Sequence, residues 1–583
     1  MANQQTKIDN SLTEVRSNHN LSFNWLGSAD YGRIVPFHWQ ELVATDHVKT
    51  LKPRIEMQML PIASPSFGKM SIYVHYFAVP IRLLWNEAYD FFSQTGKGKN
   101  AIPPYWTGED FQVASDYGDN GSLDEWETGI WLGSRGLYKH WTSFGLPPFW
   151  RGSNLPNGQQ GYYGIGENDK ISLLPFRAYN QVWWDFYRDP ELVPDDNIDF
   201  HIRRTSGREK NYNESGSNVI MEKENIYVPR VRSIKDVWFS QLFASNGTTP
   251  YNIYLGDRTL SNSGTSAQPI ITSEDGEHAR NHRRAEALTR MAERLSLSGK
   301  RQIDMLYTQY GVKPQFSKLN MAQYIGGGKS DVLITDITSS ADTALPEAGL
   351  DGKPLGSKAG QGYCQLSDID IDFTASEPTI LLGVFSIMPK VHFVQGLGKE
   401  WYRNTLTDFF KRELEHIGQV AVPKKEVGVN YFGFDVTPSA GTEQRPYYSV
   451  ENNDKTFAFT QPYYEYKRKC DVLAGDFMYY HTKTSLTDDN PDIAYMQSMN
   501  LFVDYPDDRE FTAENMQLPA AALNKLFFYQ GGSVWDNVDD HFHVDIDVEC
   551  IINRPMDGYA IPTLETTENP HASTAPIGNS VQL

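Results

Sequence analysis

Along KMSIYVHYFAVPIRLLW (69–85) the side chains change period partway through. Ile72, Val74, Tyr76 and Ala78 fall on one side of an extended chain; Tyr73, His75, Phe77 and Val79 fall on the other. Both sets are largely apolar, which predicts a strand covered on both faces. Pro80 cannot donate to a ladder and suits the strand's end. Leu83, Leu84, Glu87, Ala88 and Phe91 then follow at helical spacing, predicting a helix near 82–94. FHVDIDVECI (542–551) alternates cleanly instead. Val544, Ile546 and Val548 face one way and His543, Asp545, Asp547 and Glu549 the other, as in a strand with one wet face. Further strand-like runs lie at 33–43, 53–60, 364–374, 379–394, 428–435, 456–460 and 476–482. LPFRAYNQVWWDFYRDPEL (174–192) reads as a helix with Tyr179, Val182, Trp183 and Phe186 on one face, ended by Pro190. Helical spacing also links Leu288, Met291 and Leu295, breaks at Gly299 and resumes at Ile303, Leu306 and Tyr310. Tyr402, Leu406, Phe409, Phe410, Leu414 and Ile417 predict an amphipathic helix.

Between these elements lie long aperiodic stretches. Residues 1–22 read as a polar, extended arm. The segments at about 96–170, 245–280 and 326–362 read as loops, the first of them ordered because it is so rich in Trp and Tyr. The expectation is one domain over 23–563 with large loop insertions and an irregular tail at 564–583. No fixed-period repeat occurs. Aromatics make up 13% of the 583 residues, with 45 Gly and 32 Pro, which favours a mainly β framework with shaped turns. With 40% hydrophobic residues the chain can bury a sizeable core.

The net charge of −20 excludes bulk condensation of nucleic acid by this chain alone. Any contact with DNA must be local or assisted by a basic partner. Three cysteines, Cys364, Cys470 and Cys550, make a poor disulfide framework and fit a reducing compartment. The N-terminal segment has no apolar core of the signal-peptide kind, and no run approaches a membrane span.

Motifs for catalysis fail one by one. GGGKS (326–330) lacks the earlier glycine of a phosphate-binding loop, since Gln323 stands there, and reads as a plain flexible loop. His541 and His543 lack a third ligand at fixed spacing and read as surface histidines of a half-wet strand. Asp368, Asp370 and Asp372 lack the glycine and distal glutamate of a calcium loop and read as the polar face of a strand. No GxSxG or CxxC occurs. No catalytic, cofactor-binding or metal-ligating set is therefore assigned, and no enzyme is expected. Basic clusters stand out against the acidic background at 201–210, 229–235, 282–284 and 466–470. In PYYEYKRK the rings could stack on bases while the cations meet phosphates; surface salt bridging is the plainer explanation.

Five blocks carry a family resemblance: GRIVPFHWQELVATDHVK (32–49), KMSIYVHYFAVPIRLLW, LPFRAYNQVWWDFYRDPEL, AERLSLSGKRQIDMLYTQYGVKPQFSKLNMAQYIGGG (292–328) and INRPMDGYAIPTL (552–564). In content and order they resemble the major capsid protein of the microviruses, small single-stranded-DNA phages, nearest the gokushovirus branch. The departures concentrate in the loops, and Met556, Asp557, Gly558 and Tyr559 stand where the family has "MPxY".

The resemblance implies an eight-stranded antiparallel jelly roll with long inserted loops and a few short helices. It implies self-assembly into a T=1 icosahedral shell around a circular single-stranded DNA genome, in a virion assembled in the bacterial cytoplasm without membrane insertion. Expected partners are further copies of the chain, the DNA on the inner face, a small basic DNA-binding peptide, minor pilot or spike proteins, and a host surface receptor met by exposed loops. Expected packing or subunit-contact residues are Trp85, Phe176, Arg177, Tyr179, Trp183, Trp184 and Arg188. Expected DNA contacts are Arg203, Arg204, Lys467, Arg468 and Lys469. The competing readings are a carbohydrate-binding or carbohydrate-active jelly roll and a trimeric tail or spike component.

Overall fold

The computed structural model describes residues 16–60, 70–93, 100–107, 134–147, 150–152, 161–163, 169–188, 204–208, 229–232, 253–255, 258–260, 320–338, 358–389, 397–415, 420–427, 433–434, 446–447, 456–469 and 540–556. The helices read at 288–310, the strand at 476–482, the tail, Arg203 and Cys470 lie outside the described residues.

Among the described residues ten strands, with the two-residue strands Arg230–Val231 on β3 and Phe373–Thr374 on β4, build two antiparallel sheets: β1 (Ser17–Asn20), β2 (Phe23–Ala29), β3 (Arg33–Leu42), β4 (His47–Met59), β5 (Met70–Pro80), β6 (Gln323–Asp331), β7 (Leu333–Thr338), β8 (Lys358–Leu366), β9 (Thr379–Pro389) and β10 (Phe542–Arg554). The first sheet runs β2–β10–β4–β8, with β1 continuing the β2 edge along β10 and β7 closing the far edge. The second runs β3–β9–β5–β6. Taking β2, β3, β4, β5, β6, β8, β9 and β10 in chain order, the strands distribute between the sheets as in a double Greek key, the jelly-roll order. Part of the expected N-terminal arm is thus edge strand: Ser17–Asn20 pairs with β10 because its backbone completes a ladder that would otherwise end unpaired.

The two sheets enclose one core. Leu51, Ile55 and Met57 of β4 and Val544, Ile546 and Val548 of β10 meet Ile72, Val74 and Tyr76 of β5 and Leu381, Phe385 and Ile387 of β9. Each fully buried aliphatic or aromatic side chain of this kind contributes about 1.5–3 kcal/mol. The outer face of the first sheet is wet, as the alternation in β10 predicts: His543, Asp545 and Asp547 are exposed. The second sheet has a covered outer face. Ile34, Phe77, Val79, Ile380, Leu382 and Val384 pack under α1 (Ile81–Leu84), α2 (Ala88–Ser93), α3 (Ser134–Ser143) and α4 (Leu174–Val182). This second core explains the apolar character of both faces of β5.

Several expectations are corrected. GGGKS is strand, within β6, and the expected insertion at 326–362 contains most of β6, all of β7 and the start of β8. The glycines are there for clearance. A Cβ on Gly327 would lie 2.1 Å from the Val74 carbonyl oxygen, and one on Gly326 or Gly328 would strike Ile371 or Ile369. The SDIDIDF segment alternates as expected but is no ladder strand before Phe373: Ile369 and Ile371 are buried in the core while Asp368, Asp370 and Asp372 face water. The helix expected near 82–94 is two short helices. The 174–192 helix turns into a wide π turn at Trp183–Tyr187 and ends at Arg188, where the backbone becomes extended. Over the described residues 397–415 the expected amphipathic helix is replaced by three 3-10 turns, Lys399–Trp401, Leu406–Asp408 and Arg412–Leu414. Thr405 and Asp408 form a capping box that starts a new turn inside the expected helix, and Phe409 and Lys411 are extended. Of its apolar residues Leu406, Phe409 and Phe410 are exposed, and Tyr402 and Leu414 half-buried.

The Gly327 clearance gives a direct test. Gly327→Ala pushes a methyl group into backbone, which cannot move aside as a side-chain tip can. We expect about 1–3 kcal/mol of destabilisation or loss of soluble protein, read by thermal melting, whereas Lys329→Ala, one turn of the pleat away on an exposed site, melts as the parent does.

Candidate assembly and nucleic-acid surfaces

The expected contact residues surround the junction between the sandwich and its first inserted segment. Trp85, Phe176, Arg177, Tyr179 and Trp184 are buried and Trp183 and Arg188 half-buried. Arg177 has no exposed surface; its guanidinium donates to the Leu84 carbonyl at 2.9 Å and the Thr205 carbonyl at 3.0 Å. That joins α4 to the end of α1 and to the 204–208 segment. Trp85 Nε1 donates to Ser206 Oγ, which donates to Glu87. The Tyr179 hydroxyl donates to the Ile34 carbonyl at 2.8 Å and accepts from the Arg230 amide at 2.7 Å; burial pushes its ionisation above the ordinary tyrosine range. In the π turn, Asp185 accepts from the Ala322 amide at 2.7 Å, and Arg188 stacks over Trp184 at 3.7 Å. These residues hold the inserted segment on the sandwich from inside the subunit.

Arg554, in the RPMDGY block, is a further anchor. It pairs with fully buried Asp46 at 3.1 Å and donates to the Glu41 carbonyl at 2.7 Å. The histidine reading needs correction: His543 is exposed, but His541 is buried and pairs with Asp30 at 3.0 Å. The chain turns inward there because Asp30 and neighbouring Asp540, which pairs with Lys139, are buried and need cationic or donor partners. Among the described residues no group of three or more His, Cys, Asp or Glu can hold a metal ion. Cys364 and Cys550 are buried, free and turned into the core, and burial pushes the Cys550 thiol up to about 11.

A second region lies in the long segment between β9 and β10. Trp401, Leu406, Phe409, Phe410 and Tyr466 are exposed together on the 3-10 turns and on the short helix Tyr464–Lys467. Rings of Phe410, Tyr463 and Tyr466 pack edge to face, with Phe410 and Tyr463 centroids 5.2 Å apart. Arg403 lies 4.4 Å over the Tyr466 ring and pairs with buried Glu465 at 3.2 Å. Of the expected DNA contacts, Arg204 is half-buried at the first junction, and its carbonyl accepts from the Asn86 amide. Lys467 pairs with Glu415 at 3.4 Å. Arg468 and Lys469 are exposed. The structure thus brings the 467–469 cations together with an aromatic surface, while Arg204 lies at the first junction. Lys399, Arg403, Glu426 and Glu465 were missed in the sequence because they converge from distant positions; only the YYEYKRK run pointed here.

Glu426 sits under this region. The Tyr402 hydroxyl donates to one carboxyl oxygen, and the other has no hydrogen-bond partner. Burial, with Glu465 and Glu400 nearby and Lys399 opposing, raises its pKa from 4.5 to about 8.

A two-sheet antiparallel shell of strands with long inserted segments defines the class to which the comparisons point. The profile of the family described as "Capsid protein (F protein)" matches residues 7–109 and 278–491, and the chain belongs to that family. The resemblance read from the five blocks therefore holds, and the family is one of structural capsid proteins. The chain is 22% identical over 507 residues to Capsid protein VP1 of Bdellovibrio phage phiMH2K, covering 80% of this chain and 83% of the relative. It is 21% identical over 561 residues to Capsid protein VP1 of Chlamydia phage 1, covering 80% and 85%. Among the described residues no helix is long and apolar enough to cross a membrane.

Two outcomes follow. Arg177→Ala leaves two carbonyls and a cavity behind, and we expect a loss of about 3 kcal/mol or more. A variant that melts normally yet fails to assemble would instead make Arg177 a contact residue. For Glu426 the folded-state pKa is raised, so the folded chain holds a proton that the unfolded chain releases. Stability should fall as pH rises from about 4.5 to about 8 and level off above that. Glu426→Gln should flatten this part of the stability profile in denaturant titrations across that range.

Proposed function

We propose that this chain is the major capsid protein of a small phage, and that its copies close into a T=1 icosahedral shell around a circular single-stranded DNA genome. The observation that carries the reading is the family match laid over an eight-strand, two-sheet body whose first inserted segment is packed onto it as a second layer. A rigid body with fixed insertions can present the same surfaces in every copy, which closed symmetry requires.

The chain's −20 charge leaves the DNA to be neutralised elsewhere. A small basic DNA-binding peptide supplies most of that charge in this reading, with local help from Arg203, Arg204, Lys467, Arg468 and Lys469. Pilot or spike proteins complete the particle. Inserted loops outside the sandwich meet the host receptor, since exposed loops tolerate variation better than strands do. The protein's place is the virion, after assembly in the host cytoplasm.

Subunits associate through exposed apolar side chains. Trp401 and Leu406 are among the most exposed large ones, at 79% and 73%, and fit that role. The test is particle formation by the full chain, followed by sedimentation and negative-stain imaging. Uniform closed shells are the expected result; a stable monomer or trimer with every phage component present would sink the reading. Trp401→Glu with Leu406→Glu should block shells while leaving the subunit's melting curve unchanged.

A further inference from the structure

We propose that the cavity between the Lys399–Trp401 turn and the Tyr464–Lys467 helix seats one cytosine or adenine nucleotide of single-stranded DNA. Its phosphate would lie on Arg468 and Lys469 and its base edge on Glu426 and Glu465. The inference rests on the reading that the shell encloses such DNA, and it names one place and one chemistry for the contact.

The cavity measures about 190 Å³, and its walls include Lys399, Arg403, Glu426, Glu465, Arg468 and Lys469. Two of its carboxylates are incomplete. The Glu465 side chain is 2% exposed and the Glu426 residue 6%, yet one oxygen of each has no hydrogen-bond partner. Buried polar atoms are seldom left so, because each costs the desolvation of the group. A ligand offering a matching donor and acceptor would complete them. With its pKa raised to about 8, Glu426 is protonated at pH 7 and itself offers a donor, while ion-paired Glu465 offers an acceptor. A base edge with an amino group beside an acceptor ring nitrogen matches that pair. On the Watson–Crick edge cytosine and adenine carry this order, the amino donor outside and the ring-nitrogen acceptor within; thymine and guanine carry the reverse, a carbonyl oxygen outside and a ring N–H within.

The charge around the cavity suits a phosphate. Lys399, Arg403, Arg468 and Lys469 outnumber Glu400 and Glu465, against the trend of the chain as a whole. Arg468 and Lys469 have no ion-pair partner among the described residues, whereas Lys467 is taken by Glu415. Tyr466, 51% exposed at the mouth and steadied by Arg403, offers a stacking platform for the neighbouring base, with Phe410 beside it.

The test uses the full chain and short labelled oligonucleotides of dC, dA or dT, with binding read by fluorescence anisotropy at several salt concentrations. We expect dC and dA to bind about tenfold tighter than dT. Arg468→Ala with Lys469→Ala should weaken all three and lower the salt slope by about two. Glu465→Gln should bring dC and dA toward the dT value. Because that variant also loosens Arg403, its melting curve is taken alongside, and exposed Tyr466→Leu serves as a second variant expected to weaken binding with the fold intact. Competition separates polymer from small anion: dCMP should displace the oligonucleotides at far lower concentration than inorganic phosphate. Equal binding of the three oligonucleotides, no binding, or equal competition by phosphate would overturn the proposal. Shell formation is scored separately, so shells that form from a chain without base preference would refute this seat and leave the capsid reading standing.

Discussion

The constraint on which the rest depends is that the β3–β9–β5–β6 sheet is apolar on both faces. Its inner face is satisfied by the opposite sheet, through Val74 and Tyr76 against Val544 and Ile546. Its outer face, with Phe77, Val79, Leu382 and Val384, needs a second cover, and the chain supplies that from α1, α3 and α4. Leaving such a surface open would make the subunit stick to any apolar partner. The described helices of the insertion after β5 are therefore structural before they are anything else. The turn from β5 at Pro80 into α1 sends the chain over the face that needs covering.

The polar anchors follow from the same requirement. A helix layer held only by apolar contact could slide, because hydrophobic attraction has no direction. Arg177, Tyr179 and Asp185 give it direction through bonds to the Leu84 carbonyl, the Ile34 carbonyl and the Ala322 amide. Each is buried or half-buried, so losing a partner costs far more than a surface bond would. Among the described residues the opposite sheet has a wet outer face and no such layer. The two faces of the sandwich thus differ in kind, which suits a subunit that must present different surfaces to its surroundings.

Charge is arranged on the same principle of local exception. The acidic total keeps the whole chain from collapsing onto polyanions, while the 397–469 region gathers cations, aromatic rings and two buried carboxylates in one place. Arginine beside an aromatic ring is less solvated than a free lysine and keeps its donors available, so Arg403 can serve Glu465 and steady Tyr466 at once.

Period-two alternation in β5 and β10, and the helical face of 174–182, were legible in the sequence because they depend on neighbours a few residues away. The match of five ordered blocks carried the family for the same reason: local motifs survive in a linear text. The sequence misled where a distant backbone set the requirement. GGGKS looked like a flexible loop because clearance from Val74 and Ile371 is invisible until β5 and the SDIDIDF segment lie beside it. The stripe from Tyr402 to Ile417 looked like a helix because spacing alone does not show that Thr405 and Asp408 cap a separate turn. His541 looked like a surface residue because Asp30, its partner, is 511 positions away. Local pattern by itself determined which segments extend, which coil and which faces are apolar. Only the tertiary structure decided which glycines must stay small, which charges are buried in pairs and where cations and carboxylates meet, since those depend on groups brought together across hundreds of residues.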